Sequence, residues 1–298
     1  MYAKIYIGFL FCYYNQQGGS KMKEKTRKIL IVFFSIVLIG SVAYIGYNQY
    51  ENKMEEKRIE DLQQNIVENP ERVDIVEEQL KNETETLETE MTEEIETETQ
   101  IEEKTILSEY EELYNENPDL IGWIKVEDTP IDYPVMQTFD DPTFYIHRDW
   151  NKNESTYGLP LVDARCTLES GNIIIYSHNM KNGTMFGSLK KYNEQSFYEE
   201  HQIIKFDTIY EKAEYQIIAV LLAQVFYDEE PNENEFVYYN YIDLGSKEEF
   251  QEYVDQVKER SLYDTGVTAE YGDSLITLCT CNYHVKDGRF LVVAKKIQ

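Results

Sequence analysis

Residues 29–47, "ILIVFFSIVLIGSVAYIGY", carry no charged side chain. At about 1.5 Å of rise per residue, such a run is long enough as a helix to cross the hydrocarbon core of a bilayer. Ahead of it stands "KMKEKTRK", in which Lys21, Lys23, Lys25, Arg27 and Lys28 face a single glutamate, and behind it the chain turns acidic. Positive flanks stay in the cytoplasm, so this asymmetry predicts a cytoplasmic N-terminus and puts everything after about residue 48 outside. A helix buried in a soluble core does not account for the flanks. A cleaved signal peptide is the closer rival, because "SVA" at Ser41–Ala43 has small residues where a peptidase cuts. The apolar run continues past that site, which favours an uncleaved anchor. The first twenty residues form a second, shorter apolar stretch, and Met22 makes the better start, giving a short basic segment that leads straight into the anchor.

The net charge of −28 is unevenly spread. It excludes nucleic acid as a partner, since phosphate binding needs clustered Lys and Arg. Much of it lies between Glu51 and about Thr105, where "ETETLETEMTEEIETETQIEEK" offers almost nothing to bury and repels itself. The segment nearest the anchor, up to about Leu80, has loose helical spacing. The chain therefore divides into a cytoplasmic segment (1–28), a transmembrane anchor (29–47), an acidic low-complexity stalk (48–105) and a folded domain (106–298).

Order resumes near Ile106. "SEYEELYNENPDLIGWIKV" predicts a short helix with Ser108 as its cap, followed by a strand around Gly122–Val126. "TPIDYPVMQ" is a proline-punctuated edge strand and "NIIIY" (172–176) a buried one. "KNGTMFGSLKKY" supplies a turn and a short helix, and residues 201–226 read as two strands about a turn near Glu211. "SKEEFQEYVDQVKERSLY" is the clearest helix, with Phe250, Val254 and Val257 on one stripe. Two more strands flank "CNYHVKDGR" at the C-terminal end. Many short strands and few helices predict a mostly β barrel or sandwich with peripheral helices.

Chemistry in this domain has few candidates: His147, His178, His201 and His284, with Cys166, Cys279 and Cys281; Cys12 lies ahead of the anchor. Cys281 ends one apolar strand and His178 follows another, which suits a nucleophile and an acid/base partner. Arg289 opens the next strand, where it could hold a carbonyl oxygen as charge develops on it. Taken singly, a strand cysteine is more often core packing. Cys279 and Cys281 are two apart on one strand, at the upper limit of disulfide reach, and no disulfide is expected. A zinc site from Cys279, Cys281 and His284 would lack a fourth ligand and the usual spacing. His147 and His201 read as surface or packing residues.

The set "TLCTC", then Arg289, with His178 in "IIIYSHNM", resembles the sortases, membrane-anchored cysteine transpeptidases of Gram-positive bacteria. "DLIGWIKVEDTPIDYPVMQ", "GTMFGSLKKY" and "KERSLY" are similar to class B in particular, and the resemblance covers about Ser108 to Gln298. It implies a sortase-like β-barrel. It also implies that the Cys281 thiolate attacks the carbonyl after a threonine in a C-terminal sorting motif of secreted proteins. Arg289 would stabilise the oxyanion and His178 protonate the leaving amine. An amino group of a peptidoglycan precursor or cross-bridge would then resolve the thioacyl enzyme. No metal or organic cofactor is required, because thiolate, imidazole and guanidinium supply nucleophile, acid and oxyanion clamp. Cys279 departs from the family, which often has serine there. Ser177, Asn179, Asn282 and Tyr283 flank these residues as candidate groove-lining groups.

The resemblance also bears on geometry. A two-residue hairpin at Asp287-Gly288 would set Cys281 opposite Ala294 and leave Arg289 roughly 16 Å away, at about 3.3 Å per residue. The sortase arrangement implies instead a broad loop, 282–288, that brings the strand ends together. Two other readings fit parts of the sequence: a thiol peptidase that only hydrolyses, and a non-enzymatic stalked surface-binding protein.

Overall fold

The computed structural model describes residues 24–67, 104–227, 231–232 and 235–298. The first twenty residues, the Met22 start and most of the acidic stalk lie outside them. The chain divides into two compact units, Met1–Arg58 and Ile59–Gln298.

The first unit holds most of a long helix, α1 (Glu24–Val67). Over the apolar run its side chains point outward, Ile36, Leu38 and Ile39 among them. This helix is long and apolar enough to cross a membrane. The helical spacing read beyond the anchor extends to Val67. In the second unit the last turns of α1 are not mere spacer: Leu62 is buried in a cluster with Leu120 and Trp123, and the Gln63 Nε2 donates to the Asp132 carbonyl at 2.8 Å.

The second unit is built on eight strands: β1 (Leu120–Lys125), β2 (Asp132–Met136), β3 (Leu161–Val162), β4 (Asn172–Tyr176), β5 (Ile203–Thr208), β6 (Glu214–Gln224), β7 (Leu275–Cys281) and β8 (Gly288–Lys296). They close into a barrel in the order β1-β2-β3-β4-β7-β8-β6-β5, with β5 pairing back to β1. Closure leaves no long unpaired edge. Pro134, which lacks an N–H, is tolerated in β2 because that strand pairs fully only with β1 and meets β3 at the single pair Met136–Leu161.

Alternation decides which strands face water. β5 alternates half-exposed and buried along "IIKFDT", whereas β4 and β7 are buried on nearly every residue. Continuous burial on both faces suits parallel strands, and β4 and β7 are a parallel pair.

Among the described residues, three short α-helices flank the barrel: α2 (Ser108–Glu116), α3 (Gln195–Glu200) and α4 (Lys247–Glu259). Ser108 is the first residue of α2 and not its cap: Leu107 holds the cap position without a side-chain bond. In α4 the Ser246 side chain accepts from the Glu249 amide, satisfying one orphan donor of the first turn. Phe250, Val254 and Val257 are buried as their spacing predicts, with Tyr253 beside them. Each such side chain stabilises the fold by about 1.5–3 kcal/mol. "FGSLKKYN" (Phe186–Asn193) forms a 3-10 helix where a short helix was expected.

Candidate active site

The parallel pairing of β4 with β7 sends both strands out at the same end of the barrel. Their last pair is Tyr176 with Cys279. Beyond it the two chains stay tied: the Ser177 amide donates to the Cys279 carbonyl at 3.2 Å. The Thr280 Oγ1 donates to the Ser177 carbonyl at 2.8 Å, and the Asn179 Nδ2 donates to the Cys281 carbonyl at 2.7 Å. His178 and Cys281 therefore emerge side by side, each two residues past the last pair.

Arg289 reaches the same place from β8. The β7–β8 register sets Cys281 directly opposite Arg289, across the broad loop and not a hairpin closing on Asp287-Gly288. The Asn282 amide donates to the Gly288 carbonyl at 2.9 Å, one residue beyond the pair. That bond makes Cys281–Arg289 a non-hydrogen-bonded pair, the closer of the two antiparallel kinds, with Cα atoms typically about 4.5 Å apart and both side chains on one face. Cys281, Arg289 and His178 line a single open cleft of about 480 Å³, walled mainly by apolar and aromatic groups such as Ile146, Val225 and Tyr238.

Each polar group is held by specific partners. The His178 Nε2 lies 2.8 Å from the Ile146 carbonyl. A carbonyl only accepts, so Nε2 carries the proton and Nδ1 is the basic nitrogen of the neutral ring. Burial holds the His178 affinity for a proton below the ordinary imidazole range; the Ile146 carbonyl opposes this and the neighbouring His147 adds to it. The two imidazole rings lie 5.5 Å apart.

Arg289 donates through Nη1 to the Asp287 and Gly288 carbonyls at 3.1 and 3.0 Å, and through Nη2 to the Tyr227 hydroxyl at 3.0 Å. Burial works against its charge, but the sulfurs of Cys281 and Cys279 with Tyr238 and Tyr227 outweigh it, and its pKa is raised.

Cys279 shares the strand face of Cys281 but is buried against Tyr238, whose hydroxyl lies 3.2 Å from its sulfur. Burial pushes its thiol up to about 12. Cys166, also buried, is pushed up to about 11.

The flanking residues divide. Ser177 lines the cleft, although its hydroxyl oxygen is buried and has no partner among the described residues. Asn179 does not line it; its amide is committed to the Cys281 carbonyl. Asn282 and Tyr283 do not line it either. The Asn282 Oδ1 is turned into the loop, accepting from the His284 amide at 3.0 Å, and Tyr283 projects into solvent. His201 stacks on Phe197 in the turn after α3. Tyr227, Tyr238 and the Ile146 carbonyl escaped the sequence reading. They come from a loop (Tyr227) and two short 3-10 helices (Phe144–His147 and Tyr238–Asn240) whose contact with β4, β7 and β8 no local pattern announces, and in a chain with 25 tyrosines composition singles out neither Tyr227 nor Tyr238.

A family model described as "Sortase domain" matches residues 124–297. The chain belongs to the sortase family. Sortase B of Listeria monocytogenes is 30% identical over 196 residues, covering 64% of this chain and 75% of the relative. Sortase B of Staphylococcus aureus is 32% identical over 194 residues, with the same coverage of 64% and 75%. The solved Staphylococcus aureus sortase B–substrate complex superposes with a TM-score of 0.63 at 27% identity, over 84% of this chain and 99% of that one. The eight-stranded barrel is thus that of a class B sortase, and the chain is a cysteine transpeptidase of that kind.

Proposed function

We propose that this sortase cleaves a C-terminal sorting motif of secreted proteins after threonine and joins the new carboxyl end to an amino group of peptidoglycan, with Cys281, His178 and Arg289 as its catalytic groups. The observation that carries the assignment is the convergence of a thiol, an imidazole and a guanidinium on one cleft from three strand ends.

The chemistry runs as an acyl transfer through a thioester. The neutral His178 ring, favoured by burial, takes the Cys281 proton at Nδ1 while the sulfur attacks the scissile carbonyl. Arg289, charged and half-buried, stabilises the oxyanion. As the tetrahedral species collapses, His178 returns the proton to the leaving amine. The acceptor amine then attacks the thioester and gives up a proton to His178, which passes it to the departing sulfur, so that Cys281 leaves as the thiol. Aromatic walls around the cleft lower the local dielectric and strengthen the charge–dipole contacts made there.

The exposed apolar face of α1 supports an uncleaved anchor that holds the domain at the outer membrane surface, where secreted substrates emerge. The deciding experiment is a panel of quenched-fluorescent peptides carrying different sorting motifs, incubated with the purified full chain in detergent micelles. Cleavage of one motif, abolished by Cys281→Ala, is the expected result. An added amine should raise turnover and appear in the product. Cleavage to free acid alone, indifferent to any amine, would favour the purely hydrolytic reading.

A further inference from the structure

We infer that Tyr227 is a positioning residue that aims the Arg289 guanidinium at the reacting carbonyl, an inference that rests on the assignment of Arg289 as the oxyanion clamp. A guanidinium has five N–H donors in a fixed plane. Nη1 is tied to the Asp287 and Gly288 carbonyls and Nη2 to the Tyr227 hydroxyl, all at 3.0–3.1 Å. The Nε–H and one Nη2–H are left over. The two carbonyl bonds converge on one nitrogen and belong to the residue's own loop, so by themselves they leave the plane free to swing about Nη1. The bond to Tyr227 is the third point that fixes it.

The strut is itself anchored. Past the last β6–β8 pair, Gln224 with Gly288, the Val225 amide donates to the Asp287 carbonyl at 3.0 Å, the same carbonyl that receives the Arg289 Nη1. One residue on, the Phe226 amide donates to the Tyr239 hydroxyl at 3.3 Å. The backbone leading to Tyr227 is therefore pinned to the loop that carries Arg289 on one side and to the cleft wall on the other. Tyr227 lines the cleft and is 68% exposed. Such a side chain contributes little to the core, and its one polar contact among the described residues is with Arg289.

The test is Tyr227→Phe in the full chain, which removes one oxygen and keeps the ring. With the peptide cleaved best, kcat should fall by about five- to twentyfold, less than the hundredfold or more for a donor that touches the oxyanion itself. KM should stay within about twofold, since the hydroxyl is spent on Arg289 and not on substrate. Alkylation of Cys281 by iodoacetamide builds no oxyanion, so its rate should not change; a structural disturbance of the cleft would alter both reactions. A rise in KM at constant kcat would overturn the inference, making Tyr227 a substrate contact. So would wild-type kcat in Tyr227→Phe beside inactive Cys281→Ala and Arg289→Ala chains, which leaves the assignment of the site standing. Cleavage that survives Cys281→Ala would overturn both.

Discussion

Cys281 and Arg289 face each other across β7 and β8 as a non-hydrogen-bonded pair. Proximity of the proposed nucleophile and its proposed oxyanion clamp is thus written into sheet register, which a one-residue slip would destroy by turning one side chain to the opposite face.

Gly288 holds that register. A Cβ there would lie 2.5 Å from the Asn282 carbonyl oxygen and 2.8 Å from the His284 ring. That oxygen is backbone, on the residue whose amide closes the loop against the Gly288 carbonyl, so the backbone has to move. Gly288→Ala should therefore keep a folded barrel by circular dichroism while cleavage falls at least about tenfold, since displacements near 1 Å cost on the order of a hundredfold. Wild-type rates in this variant would show that the loop adjusts without disturbing the pair.

Arg289→Lys keeps the charge but loses the planar fork, with its bonds to Asp287, Gly288 and Tyr227. The loss expected in kcat is on the order of 10²–10³, close to that of Arg289→Ala. Steady-state kinetics on the two variants decides it: near-normal activity in the lysine chain would mean that charge alone suffices.

His178 binds its proton more weakly in the folded chain, through burial first. Below the ordinary imidazole value of about 6.5 the unfolded chain binds more protons at this site than the folded one, so stability falls as pH drops through that window and is recovered above it. Thermal midpoints measured from pH 7.5 to 5 should decline more steeply for the wild type than for His178→Asn. The carboxylates contribute equally to both, so parallel curves would sink the claim.

Thiol reactivity should separate the cysteines. Cys166 and Cys279 are buried, with pKa values pushed up to about 11 and 12, and so stay protonated at neutral pH. Brief iodoacetamide treatment of the native chain, followed by peptide mass spectrometry, should place the adduct on Cys281 and leave those two unmodified until denaturant is added. Labelling of Cys279 at a comparable rate would mean that the cleft floor opens far more than its burial indicates.

Much of this was legible in the sequence, for identifiable reasons. Buried strands such as "NIIIY" and "LITLC" announce themselves by continuous apolar runs, and the stripe of α4 by its spacing. Cys281, His178 and Arg289 stand out because a chemically active residue ends or opens such a run. The broad loop did not follow from local signals, which favour a tight turn at Asp287-Gly288. It took the family resemblance to expect it, and the register of Cys281 against Arg289 agrees. Asn179, Asn282 and Tyr283 do not line the cleft, because adjacency in sequence says nothing about which way a loop side chain turns. Tyr227 could not be read at all, since its partner Arg289 is 62 residues away.

The parallel pairing of β4 with β7 has a consequence for how such an enzyme is made. Asn179 and Cys281, bonded in the structure, are 102 residues apart in the chain, and parallel neighbours joined by so long a crossover are non-local contacts that form slowly. Thiol and imidazole are strangers until the barrel closes. A chain not yet folded, or one that has misfolded, is a passive polypeptide and not a loose protease. Arming and folding are one event, and the sheet itself serves as the safety catch.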